Sequence, residues 1–370
     1  MIYILIVIYI FFTITHLFLY LNKRKSYLFV FVTAIFLFLL MSGHEYLGNG
    51  DAIDFLGYWR GYTEFESLIR LDFWFYYLFY WSEIIGKYLS LTFYQWWAVM
   101  TALSLSFIIW TIKKRKYNPH FFFFFFMIYY VFIFYTGLKF FYGFCLFQYG
   151  LTFLLKREKG DKFKFILFTL LAGGFHFMYY IFLVLLIVDL KRKKRKNLLK
   201  TLVVFSVIVV LFNLLSGRGL LNSLQSRIDS LDNARLSSYF SLRTNWGFML
   251  AIGIHVLTTI YAFRYRSIVR KHDQGKWYFY VDTLLYVNLI AIIFYPLFMI
   301  ALTFMRLLTS LSLTTIISSI YGQEYFNKTD RFKLLISGIL IICLYFYINI
   351  YLNGVFDTGV LPFFDSYYFK

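Results

Sequence analysis

Long apolar segments rich in Phe and Tyr recur along the whole 370-residue chain, of which 61% is hydrophobic. Each crossing of a bilayer by a helix needs about 20 apolar residues. Within lipid the backbone must satisfy its own hydrogen bonds, which permits helices or a closed barrel. The apolar runs are continuous and do not alternate with a period of two, so a barrel is excluded. The sequence therefore predicts an all-α polytopic integral membrane protein with one transmembrane domain, residues 1–370.

Short basic clusters separate the apolar segments and reveal the orientation of the chain. They hold most of the 37 Lys and Arg but few of the 18 Asp and Glu. Cytoplasmic loops of membrane proteins carry this excess. The net charge of +19 is therefore a topology signal and does not indicate a nucleic-acid partner. The opposite, outer side is close to neutral, and functional chemistry is expected there.

Counting crossings between basic clusters predicts about ten transmembrane helices with both termini outside. The predicted crossings are 2–20, 27–41, 93–112, 119–136, 138–155, 198–215, 246–263, 278–296, 300–322 and 334–351. Three segments do not cross. We expect an outer segment at 42–92 with an interfacial helix at 73–89, and an outer amphipathic loop at 216–245. The stretch 165–189 lies between two basic clusters and is too short for two crossings, so it predicts a re-entrant hairpin bending at Gly173-Gly174.

Ionisable side chains at membrane depth are costly and are candidates for function. Lys139 and Arg306 either snorkel to the outer headgroups or bind an anionic group such as a phosphate. His176, two residues past the glycine pair, is either a hydrogen-bonded core residue or a general base. Asp282 is better explained by a structural role. The same holds for His16, which lies in an apolar helix that no glycine pair interrupts.

The outer segment carries carboxylates next to aromatic rings. Asp51 and Asp54 are three residues apart and would share a face of a helix, with Tyr58 four residues further on. Carboxylates accept hydrogen bonds from sugar hydroxyls and flat rings stack on pyranoses, so the pattern suits a sugar site. The alternative is that Asp51 or Asp54 caps the following helix. No HExxH or CxxC motif occurs, so neither a tightly bound metal nor a cofactor is expected.

The order and spacing of these motifs resemble the EpsG-like group of Wzy-type polysaccharide polymerases. The matching elements are Asp51-x-x-Asp54-Phe55-x-x-Tyr58, Gly137-Leu138-Lys139, Leu171-Ala172-Gly173-Gly174-Phe175-His176, Arg235-x-x-x-Tyr239 and Arg306. The chain departs from the group at Lys139, where the group usually has Arg. The positive charge is retained there, but the bidentate fork is lost.

The resemblance implies a GT-C-like multi-helix glycosyltransferase on the outer face of a bacterial plasma membrane. The implied donor is a growing glycan on polyprenyl diphosphate, and the acceptor is a polyprenyl-diphosphate-linked oligosaccharide repeat. His176, Asp51 and Asp54 become candidate bases, and Lys139, Arg306, Tyr58, Arg235 and Tyr239 become candidate substrate-binding residues. Membrane lipids, a chain-length regulator and a flippase are the other candidate partners.

Other functions stay open at this point. Another polyprenyl-phosphate-dependent membrane glycosyltransferase would use the acidic pair of Asp51 and Asp54. A lipid-glycan flippase or transporter would show internal repeats, which are not evident. A membrane O-acyltransferase would carry an Arg and His pair in an early helix, and His16 has no such neighbour.

Overall fold

The architecture is helical throughout the part of the chain that the structure describes. The computed structural model describes residues 1–43, 59, 77–115, 117–156, 158–189, 192–215, 247–272, 275–300, 304–319, 326–352 and 360–369. Every element within these ranges is a helix, which confirms the predicted all-α membrane class. The predicted residues Asp51, Asp54, Tyr58, Arg235 and Tyr239 lie outside the described residues.

Seven described helices are long and apolar enough to cross a membrane, and four shorter apolar helices accompany them. The ten predicted crossings fall on the seven long helices and on three of the shorter ones. The outermost helices expose large apolar side chains, such as Tyr3, Val7 and Phe11 of the first. That exposure is expected of a surface solvated by lipid tails, and the protein is a multi-pass membrane protein.

Contacts group the described residues into two compact units. The first consists of Met1–Leu183 and Ile342–Lys370. It contains α1 (Ile2–Leu21), α2 (Tyr27–Ser42), α3 (Tyr77–Tyr88), α4 (Phe93–Arg115), α5 (Pro119–Phe125), α6 (Val131–Thr136), α7 (Leu138–Lys156) and α8 (Asp161–Phe175). A π-helical turn, Phe126–Tyr130, joins α5 to α6, and a 3₁₀ helix, Phe177–Asp189, follows α8.

Helix α7 is the innermost helix of the first unit. Nearly all of its side chains from Leu138 to Leu155 are buried, many of them aromatic. Small residues bring its neighbours close: a Cβ at Gly143 would lie 2.5 Å from the Tyr179 ring. Aromatic stacking continues the packing, with the Phe147 and Phe182 ring centroids 4.2 Å apart. The first turn of α7 is therefore held in a rigid setting.

The chain turns back on itself at His176. Helix α8 runs through Gly173 and Gly174 and ends at Phe175, and His176 is extended (φ −147°, ψ 115°). The break thus lies at His176 and not at the glycine pair expected from the sequence. The pair instead permits close packing, because a Cβ at Gly173 would lie 2.2 Å from the Tyr180 ring. The placement of this turn at membrane depth stays a prediction.

The second unit, Val184–Ile341, is joined by polar contacts between helices. It contains α9 (Arg192–Leu215), α10 (Gly247–His272), α11 (Lys276–Ile290), the 3₁₀ turn Ala291–Phe294, α12 (Tyr295–Ile300), α13 (Met305–Ser318) and the start of α14 (Lys328–Phe346). Buried Ser and Thr of α13 bond neighbouring helices through the pairs Thr258–Ser312 at 3.2 Å, Tyr280–Ser318 at 3.1 Å and Asn288–Thr315 at 2.9 Å. Such small polar side chains are common between membrane helices.

The end of α14, from Ile342, and the chain after it belong to the first unit. A π-helical segment, Tyr347–Leu352, is followed by a short α15 (Leu361–Phe363) and a 3₁₀ turn, Tyr367–Phe369. The Phe363 and Phe364 rings pack edge-on against Tyr9 of α1. The C-terminal segment therefore packs against the middle of the first helix.

Candidate active site

The candidate site lies where α3 meets the first turn of α7. Helix α3 buries one face, formed by Phe79, Tyr80, Glu83 and Gly86. These positions recur with the three- and four-residue spacing of a helix. The exposed side is also apolar, with Trp81 50% and Tyr88 87% exposed. This pattern suits the interfacial helix that the sequence predicts at 73–89.

Lys139 is buried in this corner, with only 4% of its surface exposed. Its Nζ lies 4.5 Å from the ring centroid of Phe79 and 5.4 Å from that of Tyr80. An ammonium group over an aromatic face is stabilised by the ring quadrupole. A snorkelling lysine would extend its head to the headgroups. The structure instead turns Lys139 inward, toward α3.

Glu83 is the residue that the sequence analysis missed. It is 1% exposed, and both of its carboxyl oxygens are buried without a hydrogen-bond partner. Burial raises the pKa of Glu83 to about 8, against the opposing effect of the nearby charges of Lys139 and Lys87. Such shifts concentrate at functional sites because catalysis and binding need groups that titrate near working pH.

Lys87 completes the charged cluster from the same helix, one turn beyond Glu83. Its Nζ is buried without a hydrogen-bond partner and lies 5.4 Å from the centroid of the Trp59 ring. Burial lowers the pKa of Lys87, and the carboxyl of Glu83 acts in the opposite direction. We call Glu83, Lys87 and Lys139 the α3–α7 charge cluster. It contains two cations and one acid within an aromatic shell.

His176 lies beside the same turn of α7. Its ring meets Phe140 edge-on, with centroids 5.6 Å apart, and the Tyr179 hydroxyl donates to the Phe140 carbonyl at 2.9 Å. The backbone N–H of Met178 donates to His176 Nδ1 over 3.4 Å. A neutral ring that accepts at Nδ1 carries its proton on Nε2.

Helix α3 also packs on the end of α8 that carries His176. The hydroxyl of Tyr77 donates to the Leu170 carbonyl at 3.4 Å, and a Cβ at Gly174 would lie 2.7 Å from the Tyr77 ring. The chain segment that bears Lys139 and the segment that bears His176 are therefore both in contact with α3. The structure brings these two predicted residues into one region of the first unit.

Arg306 lies in the second unit, on the first turn of α13, and is half-buried. A joint site with Lys139 therefore stays a prediction. Asp282, which the sequence analysis explained as structural, accepts a hydrogen bond from Arg266 Nε at 2.6 Å. That ion pair agrees with a structural role for Asp282.

The sequence pattern around Glu83 was recognised, but it was interpreted as evidence for topology and not for a functional site. Glu83, Gly86 and Lys87 interrupt an aromatic stretch and favoured the interpretation that the stretch does not cross the membrane. A carboxylate one helical turn before a lysine, in an otherwise aromatic helix, is also what a buried charge cluster requires. Its second cation, Lys139, is far along the chain, so the pairing is visible only in the structure.

The whole-chain comparison decides the family. A model of the EpsG family matches residues 28–364, which is nearly the whole chain. The chain belongs to the EpsG family. No curated protein and no solved structure gives a match.

Membership in the EpsG family supports a polysaccharide-polymerase-like membrane protein. The match spans α2 to α15, so it includes Lys139, His176, Arg306 and the α3–α7 charge cluster. The GT-C-like architecture that the sequence analysis expected stays a prediction. Among the described residues no group of three or more metal-binding side chains occurs.

Proposed function

We propose that this EpsG-family protein joins polyprenyl-diphosphate-linked oligosaccharide repeats into a surface polysaccharide on the outer face of the plasma membrane. The observation that carries the proposal is Lys139, a buried cation at the start of α7, next to the segment that bears His176. A glycosyl transfer from a lipid diphosphate needs such a fixed cation. Family membership supplies the polysaccharide context.

The reaction forms one glycosidic bond and breaks one bond to phosphate. A hydroxyl of the acceptor repeat attacks the anomeric carbon of the donor sugar, and the bond from that carbon to the diphosphate oxygen breaks. The diphosphate leaves with the electron pair, and the hydroxyl proton passes to a base. Charge develops on the leaving oxygens, where preorganised cations stabilise the transition state. We assign this task to Lys139. Arg306, which the sequence predicts as a further substrate-binding cation, lies in the second unit.

We base the role of His176 on the tautomer that its contact with the Met178 N–H favours. With Nδ1 engaged by the Met178 N–H, the ring offers Nε2–H to a substrate oxygen. We propose that His176 orients the glycan or the leaving group by this donation and does not take the proton. Asp51 and Asp54 then remain as candidate bases from the outer segment, with Tyr58, Arg235 and Tyr239 as candidate sugar contacts.

The test is to delete the gene and to size both the surface glycan and the lipid-linked intermediates. The proposal predicts single repeats on polyprenyl diphosphate and the loss of long polymer. Polymer of normal length with one sugar missing from each repeat would instead show a side-branch glycosyltransferase. Complete repeats trapped on the inner leaflet would show a flippase, and either result would overturn the polymerase.

A further inference from the structure

We propose that Glu83, Lys87 and Trp96 bind one sugar ring of the glycan substrate at the junction of α3 and α4. These three side chains present buried polar atoms that no hydrogen bond satisfies in the part of the chain that the structure describes. That the sugar belongs to a lipid-linked glycan rests on the proposed function. None of the three residues was among those predicted from the sequence.

The junction is formed by close contact between Gly86 of α3 and Trp96 of α4. A Cβ at Gly86 would lie 2.7 Å from Cδ1 of the Trp96 indole and 3.0 Å from Cη2 of Trp59. The ring centroids of Trp59 and Trp96 are 5.5 Å apart. Cδ1 is bonded to Nε1 in the indole ring, so the N–H edge of Trp96 faces the backbone of α3 at Gly86.

Two ionisable side chains flank Gly86 on α3. Lys87 is the next residue, and its Nζ lies 5.4 Å from the centroid of the Trp59 ring. Glu83 precedes Gly86 by three residues and belongs to the same buried face of the helix. The donors of Lys87 and Trp96 and the acceptor oxygens of Glu83 are therefore placed around one glycine.

The polar atoms at the junction are buried but unsatisfied. Glu83 is 1% exposed and Trp96 is 2% exposed. Both carboxyl oxygens of Glu83, the Nζ of Lys87 and the Nε1 of Trp96 have no hydrogen-bond partner among the described residues. Leaving such groups bare costs stability, so in folded proteins they are almost always paired. Donors and acceptor stand near one another here without pairing, which suits a ligand that bonds to both.

This combination of groups selects a ligand that carries hydroxyls. A sugar hydroxyl both donates and accepts, so it can donate to an oxygen of Glu83 and accept from Trp96 or Lys87. An ionised diphosphate offers acceptors only and would leave at least one oxygen of Glu83 without a donor. The half-buried ring of Trp59 lies beside these groups. A few convergent polar groups within aromatic walls are typical of small-ligand sites.

The junction also lies next to the cation that we assign to the leaving diphosphate. The ring centroid of Phe79 on α3 is 4.5 Å from Lys139 Nζ and 5.4 Å from the centroid of the Trp96 ring. In a lipid-linked glycan the first sugar is bonded directly to the diphosphate. A diphosphate bound at Lys139 therefore has its sugars within reach of the α3–α4 junction.

The experiment is calorimetric titration of the purified full-length protein in detergent. The probe is the oligosaccharide repeat released by partial hydrolysis from the surface polysaccharide of the same cells, and inorganic diphosphate is titrated in parallel. Trp96→Phe removes the indole N–H and keeps an aromatic ring. The matched control is Trp97→Phe, because Trp97 is the next residue of α4, is equally buried and also has an indole N–H without a hydrogen-bond partner among the described residues.

The native protein should bind the oligosaccharide, and Trp96→Phe should bind it about tenfold more weakly, the usual effect of one lost hydrogen bond. Trp97→Phe should bind as the native protein does. Glu83→Leu removes both acceptor oxygens and should weaken binding about tenfold or more. This variant should fold, because it replaces an unsatisfied buried group by an apolar one.

The contribution of the ammonium group is tested separately. Lys87→Met should weaken oligosaccharide binding about tenfold, against no change in Lys162→Met at an exposed lysine. Equal affinities of these two variants would remove Lys87 from the site.

Three results would overturn the sugar site: no binding of the oligosaccharide by the folded native protein, equal affinities of Trp96→Phe and Trp97→Phe, or a Glu83→Leu variant that binds as the native protein does. Binding of inorganic diphosphate that depends on Trp96, without binding of the oligosaccharide, would replace the sugar site by an anion site.

The outcome is separable from that of the proposed function. Oligosaccharide binding that depends on Trp96 and Glu83, in a protein whose deletion leaves long polymer intact, would retain the sugar site and reject the polymerase. Loss of long polymer on deletion, with Trp96→Phe indistinguishable from Trp97→Phe in the titration, would retain the polymerase and reject the sugar site.

Discussion

Two buried polar clusters of the first unit contrast with one another. One is the histidine pair of His16 on α1 and His120 on α5, and the other is the α3–α7 charge cluster. Both are enclosed by aromatic rings, and both contain side chains that titrate in water. They differ in whether their donors and acceptors are satisfied.

The histidine pair forms a closed hydrogen-bond chain. The Ser26 N–H donates to His120 Nε2 at 3.0 Å, so the neutral His120 carries its proton on Nδ1. His120 Nδ1 lies 2.9 Å from Nδ1 of His16. The other ring nitrogen of His16, Nε2, lies 3.0 Å from the Thr33 hydroxyl. Thr33 in turn donates to the Phe29 carbonyl at 2.8 Å. One assignment of protons satisfies every group and ties α1, α2 and α5 together.

The α3–α7 charge cluster is the opposite case. The carboxyl oxygens of Glu83 and the Nζ of Lys87 have no hydrogen-bond partner. A saturated network rigidifies a fold, whereas an unsaturated charged one costs stability and is retained where it serves a function. The comparison teaches that burial alone does not separate structural from functional polar residues. The two clusters differ instead in whether their hydrogen bonds are satisfied.

The largest effect is expected at Lys139. Replacing it by Met keeps the approximate length of the side chain but removes the charge to which we assign the stabilisation of the leaving diphosphate. We expect polymer formation to fall about a hundredfold or more, while the protein still inserts and purifies normally. Lys139→Arg, which keeps the charge, should retain more activity than Lys139→Met. Gel sizing of the surface glycan measures this, and long polymer from Lys139→Met would remove the residue from the site.

The histidine pair should respond in stability and not in chemistry. His16→Leu leaves the Nδ1–H of His120 without its acceptor and deprives Thr33 of its donor. We expect the free energy of unfolding to fall by about 2–4 kcal/mol, from the usual cost of unsatisfied buried groups. Thermal unfolding in detergent measures the loss. An unchanged melting temperature, or a folded variant that makes no polymer, would contradict the division of roles.

In contrast to His16→Leu, Glu83→Gln should stabilise the folded protein, and the size of this stabilisation should depend on pH. The folded pKa of about 8 lies above the ordinary value of 4.5, so the folded state holds a proton that the unfolded state releases. This contribution to stability is complete below about pH 4.5 and is lost as the pH rises to about 8. The native protein should therefore lose up to about 1.4 kcal/mol per pH unit across this window relative to Glu83→Gln.

Unfolding curves of both proteins at several pH values in that window check the sign. A constant difference between native protein and Glu83→Gln would show that Glu83 does not titrate there. A native protein that gains stability with pH relative to the variant would show a carboxylate that is ionised and well paired.

His176 is intermediate between the satisfied histidine pair and the unsatisfied α3–α7 charge cluster. Its Nδ1 accepts from the Met178 N–H, and we assign its Nε2 to the substrate. His176→Gln places an N–H donor near the position of Nε2, and His176→Asn places an acceptor near that of Nδ1. We expect His176→Gln to retain several-fold more polymerase activity than His176→Asn. The reverse order would make the contact to the Met178 N–H the important one.

Much of the fold follows from the sequence because hydropathy and basic clusters act locally. The crossings at 93–112 and 138–155 coincide with α4 and α7 for this reason. Lys139 and His176 were identified singly, as ionisable groups at membrane depth. Their shared contact with α3 was not, because it depends on how distant helices pack.

Glu83 was missed for the same physical reason. A carboxyl in an interrupted aromatic stretch reads equally well as a surface residue, and only packing against α7 shows that it is buried. The glycine pair illustrates a related limit. Gly173 and Gly174 were expected to bend the chain, yet close contact with Tyr180 and Tyr77 explains them, and the break falls at His176.

The most direct measurement is reconstitution of the purified protein in liposomes with lipid-linked oligosaccharide repeats as the only substrate. The account predicts a ladder of glycan lengths and one polyprenyl diphosphate released for each new glycosidic bond, with little of either from Lys139→Met. Folded native protein that makes no ladder, or a ladder formed without release of polyprenyl diphosphate, would contradict it.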